Sequence, residues 1–251
     1  QGVSSAASDV YKRQVVRDCL VTNSMYRGIY VDKANHTNFT NYETADFTNT
    51  VVRGTGGPNA KTAGIGFAAI DINATGVWFE NTLIEDSTTT GLRLYFVDSS
   101  TTFRNLTIVN SGDPGQGAHE AGLAIRSSFF APNFDGLEIT GSPGPGISAT
   151  SGGAMQGSNW FLHNNSQDGL YIDSSTVIVD GLHLTDNGQS GAHVYDSRYV
   201  TLTNLTAIGN GNLGLTDVEQ AGLLFERSND IETNSGAVSY THLRAHETDS
   251  Y

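Results

Sequence analysis

The chain has 251 residues, 13 Lys plus Arg against 26 Asp plus Glu, and a formal net charge of −13. That balance excludes a general basic patch for nucleic acid, whose backbone is itself anionic. One cysteine excludes a disulfide framework, and 29 glycines point to turn-dense structure.

Residues 1–14 carry no repeat. From residue 15 onward a tetrad of Gly, apolar, any, apolar recurs eight times. It begins at Gly28, Gly64, Gly91, Gly122, Gly146, Gly169, Gly191 and Gly222, at spacings of 36, 27, 31, 24, 23, 22 and 31 residues. An apolar anchor precedes each tetrad: Val21, Val52, Ile84, Ile108, Ile139, Leu162, Leu184 and Ile208. Two residues after each anchor stand Asn23, Gly54, Asp86, Asn110, Gly141, Asn164, Asp186 and Asn210. Asn, Asp and Gly tolerate a left-handed backbone and close tight turns. A second ladder of the same residue types lies three before most anchors, at Asp18, Asn49, Asn81, Asn105, Gly136, Asn159 and Gly181. Short alternating segments such as Val77-Trp-Phe79, Val177-Ile-Val179 and Val200-Thr-Leu202 come before that.

Each repeat therefore reads as three short strands of period two joined by tight turns, with no helical periodicity. A unit this short cannot bury its apolar face alone and must stack on copies of itself. The expected fold is all-β: a single parallel β-helix of about eight coils, with Ile29, Val31, Leu92, Leu94, Leu123, Ile125, Leu170 and Ile172 inside. Neighbouring coils lie about 4.8 Å apart. Cys19, within the first anchor strand, reads as a small buried hydrophobe.

The tetrads, with segments such as Phe103-Arg-Asn-Leu-Thr-Ile108 and Val179-Asp-Gly-Leu-His-Leu184, resemble the right-handed parallel β-helix repeat proteins of the pectin-lyase-like superfamily. The resemblance covers residues 15–237. It implies a solenoid and an extracellular or cell-surface setting, and it is nearly silent on chemistry because that superfamily holds lyases, hydrolases, epimerases and inert stalks. Residues 1–14 and 238–251 resemble translated sequencing-adapter read-through. The expected organisation is thus a β-helix fragment at 15–237 flanked by two non-native ends, which lack repeat geometry.

Function is sought on the outer face. The third residue of each tetrad and the residue after it point outward. As read from the tetrads, the columns are Tyr30, Gly66, Arg93, Ala124, Ser148, Tyr171, His193, Leu224 and Asp32, Ala68, Tyr95, Arg126, Thr150, Asp173, Tyr195, Glu226. His193, Tyr171, Asp173 and Tyr195 are the candidates for acid–base work. Arg93, Tyr95 and Arg126 are candidates for substrate binding, since rings stack on sugar faces and Arg pairs with carboxylates. Three coils have long insertions at one corner, over 54–62, 111–120 and 211–220, and the second brings His119 and Glu120 toward the columns. Ordinary solvent-facing cross-strand pairs would account for the same columns.

The expected activity is binding or processing of polysaccharide, of uronate-lyase, epimerase or hydrolase type. The alternative is a non-catalytic stalk or passenger of a large surface protein. The polygalacturonase and alginate-epimerase signatures are absent, as are zinc spacings, a phosphate loop and a nucleophile elbow. No cofactor is called for, although the acidity suits Ca²⁺ exposure. The expected partner is polysaccharide, with no nucleic acid, no membrane span and a monomeric state.

Overall fold

The computed structural model describes residues 14–32, 45–56, 68–113, 121–128, 130–211, 222–238 and 243–246. The first strands are β1 (Gln14–Arg17), β2 (Leu20–Thr22), β3 (Ile29–Asp32), β4 (Ala45–Arg53), β5 (Ala68–Asn73) and β6 (Val77–Glu85). Next come β7 (Thr90–Tyr95), β8 (Thr102–Val109), β9 (Leu123–Arg126), β10 (Asn133–Thr140), β11 (Ile147–Thr150), β12 (Ala154–His163) and β13 (Leu170–Asp173). The last are β14 (Thr176–Thr185), β15 (Ala192–Tyr195), β16 (Arg198–Ile208), β17 (Leu223–Glu226), β18 (Asn229–Val238) and β19 (Leu243–His246). No helix among the described residues is long and apolar enough to cross a membrane.

From β3 onward, successive strands alternate between two parallel sheets. One runs β1-β4-β6-β8-β10-β12-β14-β16-β18, with β2 also on β4; the other runs β3-β5-β7-β9-β11-β13-β15-β17-β19. This is a parallel β-helix. The long strands each join two of the expected short ones through a left-handed residue. Asn49, Asn81, Asn105, Gly136, Asn159, Gly181 and Asn204 there have φ between 49° and 76°. The bend lets one strand cover two walls without leaving the hydrogen-bonded ladder. Side-chain amides link these bends: Asn49 Nδ2 donates to Asp18 Oδ1 at 2.9 Å and Asn105 Nδ2 to Asn81 Oδ1 at 3.0 Å.

Among the described residues, six coils have a third left-handed corner besides the two expected. The third follows the tetrad strand at Phe96, Ser127, Ser151, Ser174, Asp196 and Arg227, with φ of 42° to 54°. Its residue types vary, so it leaves no Asn/Gly signature in the sequence.

The core is built of columns. Phe47, Phe79, Phe103 and Phe134 stack at 4.4, 5.4 and 4.6 Å, and Trp160 closes the column edge-on at 6.0 Å. The Trp160 indole N–H donates to the Phe134 carbonyl at 3.0 Å, so the ring is buried without an orphan donor. Further along, buried Asn165, Asn187 and Asn210 form an internal ladder. Asn165 Nδ2 donates to Asn187 Oδ1 and Asn187 Nδ2 to Asn210 Oδ1, both at 2.9 Å, and the Asn165 and Asn187 backbone N–H groups donate to the same acceptors at 3.2 and 3.1 Å. Gly169 is glycine because a Cβ there would lie 2.7 Å from Asn187 Nδ2 and 2.7 Å from the Gly191 carbonyl.

The tetrad side chains Leu92, Leu94, Leu123, Ile125, Leu170 and Ile172 are buried as expected; Ile29 and Val31, on the first tetrad strand, are half-buried. Four expectations are corrected. The second tetrad is not the one at Gly64, which lies outside the described residues. Ala69-Ile-Asp-Ile72 fills its slot, with Ile70 paired to both Ile29 and Leu92. Alanine replaces glycine there, which hid the frame. The last anchor is Ala207, not Ile208: Leu184 pairs with Ala207, and Ile208 points to solvent. Gly209 (φ 69°) is then the turn residue, and Asn210 joins the internal ladder. Cys19 is half-buried, not buried. Repeat geometry also continues past 237. β18 reaches Val238, and Leu243-Arg-Ala-His246, which alternates apolar and polar, pairs in register with Leu223–Glu226.

Candidate functional site

With the second frame reset, the first outward column reads Tyr30, Asp71, Arg93, Ala124, Ser148, Tyr171, His193, Leu224. The second holds Asp32 and Asn73, then Tyr95, Arg126, Thr150, Asp173, Tyr195 and Glu226. Two clusters stand on this face.

The cluster on β13, β15 and β17 centres on His193. Its Nε2 lies 3.1 Å from Glu226 Oε2 and its Nδ1 lies 3.7 Å from Asp168 Oδ2. The imidazole side chain is 19% exposed. The Tyr171 ring meets it edge-on, centroids 5.2 Å apart at 83°. Asp168 is itself oriented, because its Oδ1 accepts the Ser190 N–H at 2.8 Å. Burial disfavours the charged imidazole, but Asp168 and Glu226 outweigh it, and the pKa is raised above the ordinary value. Tyr171 is pushed up as well, first by burial and then by Asp173 and Asp168, so its hydroxyl keeps its proton. The arrangement is an imidazole held between two carboxylates, which favour its protonated form, with a phenol alongside.

Asp173 and Tyr195 sit on the same rungs in the second column. Asp173 accepts from the Ser174 hydroxyl at 2.9 Å. The Tyr195 hydroxyl accepts from Arg227 Nη1 at 3.0 Å, with the guanidinium 5.7 Å from its ring centroid.

The cluster on β3, β5 and β7 centres on Asp71, 2% exposed. Arg93 Nε and Nη2 bind its two oxygens at 3.1 and 2.5 Å, and Arg27 Nε lies 2.6 Å from Oδ2. Arg93 packs 5.5 Å from the Tyr95 ring centroid, and Arg27 4.4 Å from that of Tyr30. This is a closed ion-pair network. The guanidinium expected to meet a sugar carboxylate is engaged, and its side chain is only 13% exposed.

Arg126 lies between the clusters, on the rung next to Tyr95. Thr150 separates it from Asp173, so it lies roughly 10 Å from Asp173 at one coil spacing per rung. Beside it, Ala124 and Ser148 are short and buried, leaving no long side chain in the first column between Arg93 and Tyr171. Of the nine candidates, the structure joins Tyr171, His193, Asp173 and Tyr195, and places Arg93 and Tyr95 in the other cluster. His119 and Glu120 lie outside the described residues.

Three partners went unread: Asp168, Asp71 and Arg27. Arg27 and Asp168 occupy one slot, the residue before a tetrad glycine. A Cβ on Gly28 would meet the Val52 side chain at 2.5 Å, so that glycine faces inward, while the residue before it reaches the outer face. That slot is a third column the sequence could have supplied. Among the described residues no group of three His, Cys, Asp or Glu side chains is placed to hold a metal ion.

A family model described as the right-handed β-helix region matches residues 121–247. Two solved structures of the periplasmic alginate epimerase AlgG, one of them a point mutant, align over 90% of this chain at 11% identity. They do so with TM-scores of 0.30 for the mutant and 0.31, and the alignments span 70% and 72% of those chains. No curated protein matches the chain.

Proposed function

The chain belongs to the right-handed β-helix family, and from that premise we propose that it binds and processes polysaccharide on the outer face of its tetrad sheet. The observation that carries this reading is His193, held at 3.1 Å from Glu226 and 3.7 Å from Asp168 on an outward column. An imidazole placed so is biased to its charged form and serves as a proton donor to a sugar oxygen or a developing carbanion. Glu226 and Asp168 stabilise the cation before transfer, and Tyr171 supplies a second hydroxyl beside it. The flat parallel face gives an extended chain contact with several rungs at once, about 4.8 Å apart.

An acidic polymer is accommodated through Arg126, since Arg93 is bound to Asp71 and the charges nearest His193 are carboxylates. An extracellular or cell-surface setting goes with this reading, because that is where such polymers lie.

The test uses alginate, pectate and a neutral β-glucan. Binding is measured by titration, and processing by chain shortening and by unsaturated-product absorbance. His193→Gln should leave binding within a few-fold and lower turnover by roughly 100-fold or more, the range for a lost general acid. Binding without turnover in the wild type would reduce the reading to a glycan-binding module. No binding to any of the three would leave the stalk alternative.

A further inference from the structure

We infer that the corner after β13 is a saccharide-binding notch for a neutral hexopyranose unit, distinct from the His193 cluster. The inference rests on the polysaccharide reading and adds a subsite to it. The notch comes from coil length. Thr150, Asp173 and Tyr195 share one register, and Met155, Val177 and Val200 share the next. Four residues lie between them on the β11 and β15 coils, and three on the β13 coil. The middle corner is therefore recessed between two longer ones.

The result is a concavity of about 440 Å³ lined by Gly152, Gly153, Ser174, Ser175, Thr176, Asp196, Arg198 and Tyr199. One wall is bare backbone: a Cβ added at Gly152 would meet nothing within 4 Å. The opposite wall carries Asp196, Arg198 and Tyr199, all exposed. Tyr199 stands outside the three corner ladders yet has φ 59°, and the residue is 65% exposed. Phe96 and Arg227 take the same backbone at the third corner, whereas Tyr199 takes it away from any corner. No core packing compensates it here, and such outliers gather at binding sites.

The chemistry converging on the notch is that of sugar recognition. A ring face stacks on the C–H face of a pyranose with equatorial hydroxyls. A carboxylate accepts two vicinal hydroxyls, and a guanidinium donates to ring or hydroxyl oxygens. Among the described residues, the Arg198 guanidinium has no ion pair within 4.0 Å. The floor hydroxyls of Ser174 and Thr176 donate at 2.9 Å to Asp173 and 3.4 Å to the Arg198 carbonyl, leaving lone pairs for a ligand. Asp196 and Arg198 together are neutral, which matches an uncharged sugar. Ser174 directly follows Asp173, so a chain seated in the notch continues onto the tetrad face.

The experiment is calorimetric titration of the full chain with cellotetraose and, separately, tetramannuronate. Tyr199→Gly relieves the left-handed backbone while removing the ring. It should keep the melting temperature within a few degrees or raise it, and weaken cellotetraose at least tenfold. Arg198→Gln should weaken it several-fold. Unchanged cellotetraose binding in Tyr199→Gly would overturn the notch, and with wild-type binding retained it would leave the polysaccharide reading intact. A loss confined to tetramannuronate would overturn the neutral-hexose assignment. A wild-type chain that binds neither probe would overturn both readings.

Discussion

Two clusters share one outward column, and they use charge in opposite ways. At Asp71, two guanidiniums converge on one nearly fully buried carboxylate. At His193, two carboxylates converge on one titratable ring that is still partly open to solvent. The first has permanent charges, bidentate geometry and nothing to exchange, so it ties coils together. The second has a group whose proton can leave, with neighbours that set how tightly it is held. The same sheet, register and column thus hold a closed ion-pair network at one end and a titratable imidazole between carboxylates at the other. Sheet position alone does not mark a site; the sign and titratability of the central residue do.

The largest expected effect breaks the first cluster. Asp71→Leu leaves two poorly solvated guanidiniums without their carboxylate. It should cost about 3–5 kcal/mol in chemical denaturation, the range for breaking a buried pair. Turnover at His193, measured under conditions where the variant is folded, should not change. A loss of activity without a loss of stability would reverse the roles assigned to the two clusters.

Asp168→Asn and Glu226→Gln come next. Each removes one carboxylate charge beside His193; Glu226→Gln weakens a hydrogen bond of a kind worth about 1.5–3 kcal/mol, and Asp168→Asn, at 3.7 Å, should cost less. The pH dependence gives the sharper readout. The folded-state pKa of His193 is raised, so its contribution to stability is present in full below the unfolded imidazole value. It is lost as pH rises through the folded one. Wild-type stability should therefore fall across that window, and the fall should flatten in either variant.

Tyr171→Phe keeps the edge-on ring and removes only the hydroxyl. Stability should change by less than about 1 kcal/mol, while turnover falls. The smallest effect is at the exposed Arg53–Glu85 pair on β4 and β6. Arg53→Ala should stay within about 0.5–1 kcal/mol, as for other surface pairs, and leave both clusters untouched.

The sequence made the architecture legible because the constraints that build a solenoid are local and recur. A glycine that must face a neighbouring coil, an apolar pair and two left-handed corners each leave a fixed residue type at a fixed offset. Where residue type is not forced, the pattern disappears. Alanine at Ala69 sufficed in place of glycine, and the frame moved to Gly64. One consequence was that Asp71 never entered its column. The third corner accepts Phe96, Ser127 and Arg227 alike, so no ladder was visible. At the end of the array, a one-residue register choice separated Ala207 from Ile208, and that shift concealed the internal Asn165–Asn187–Asn210 ladder.

The His193 site was half legible. Tyr171, His193, Asp173 and Tyr195 fell together because period two and coil spacing dictate it. Asp168 sits where the chain turns into the strand, outside the period-two rule, and only the clash that excludes a Cβ from the tetrad glycine shows that its slot faces out. Arg93 had the right direction and the wrong partner, since its guanidinium is spent on Asp71.

The most direct measurement is an NMR titration of the His193 imidazole in the wild type, Asp168→Asn and Glu226→Gln. A wild-type midpoint above the ordinary histidine value of about 6.5, falling in both variants, is the expected result. A midpoint at or below that value, or one indifferent to both substitutions, would contradict the claim that this face holds a charged proton donor.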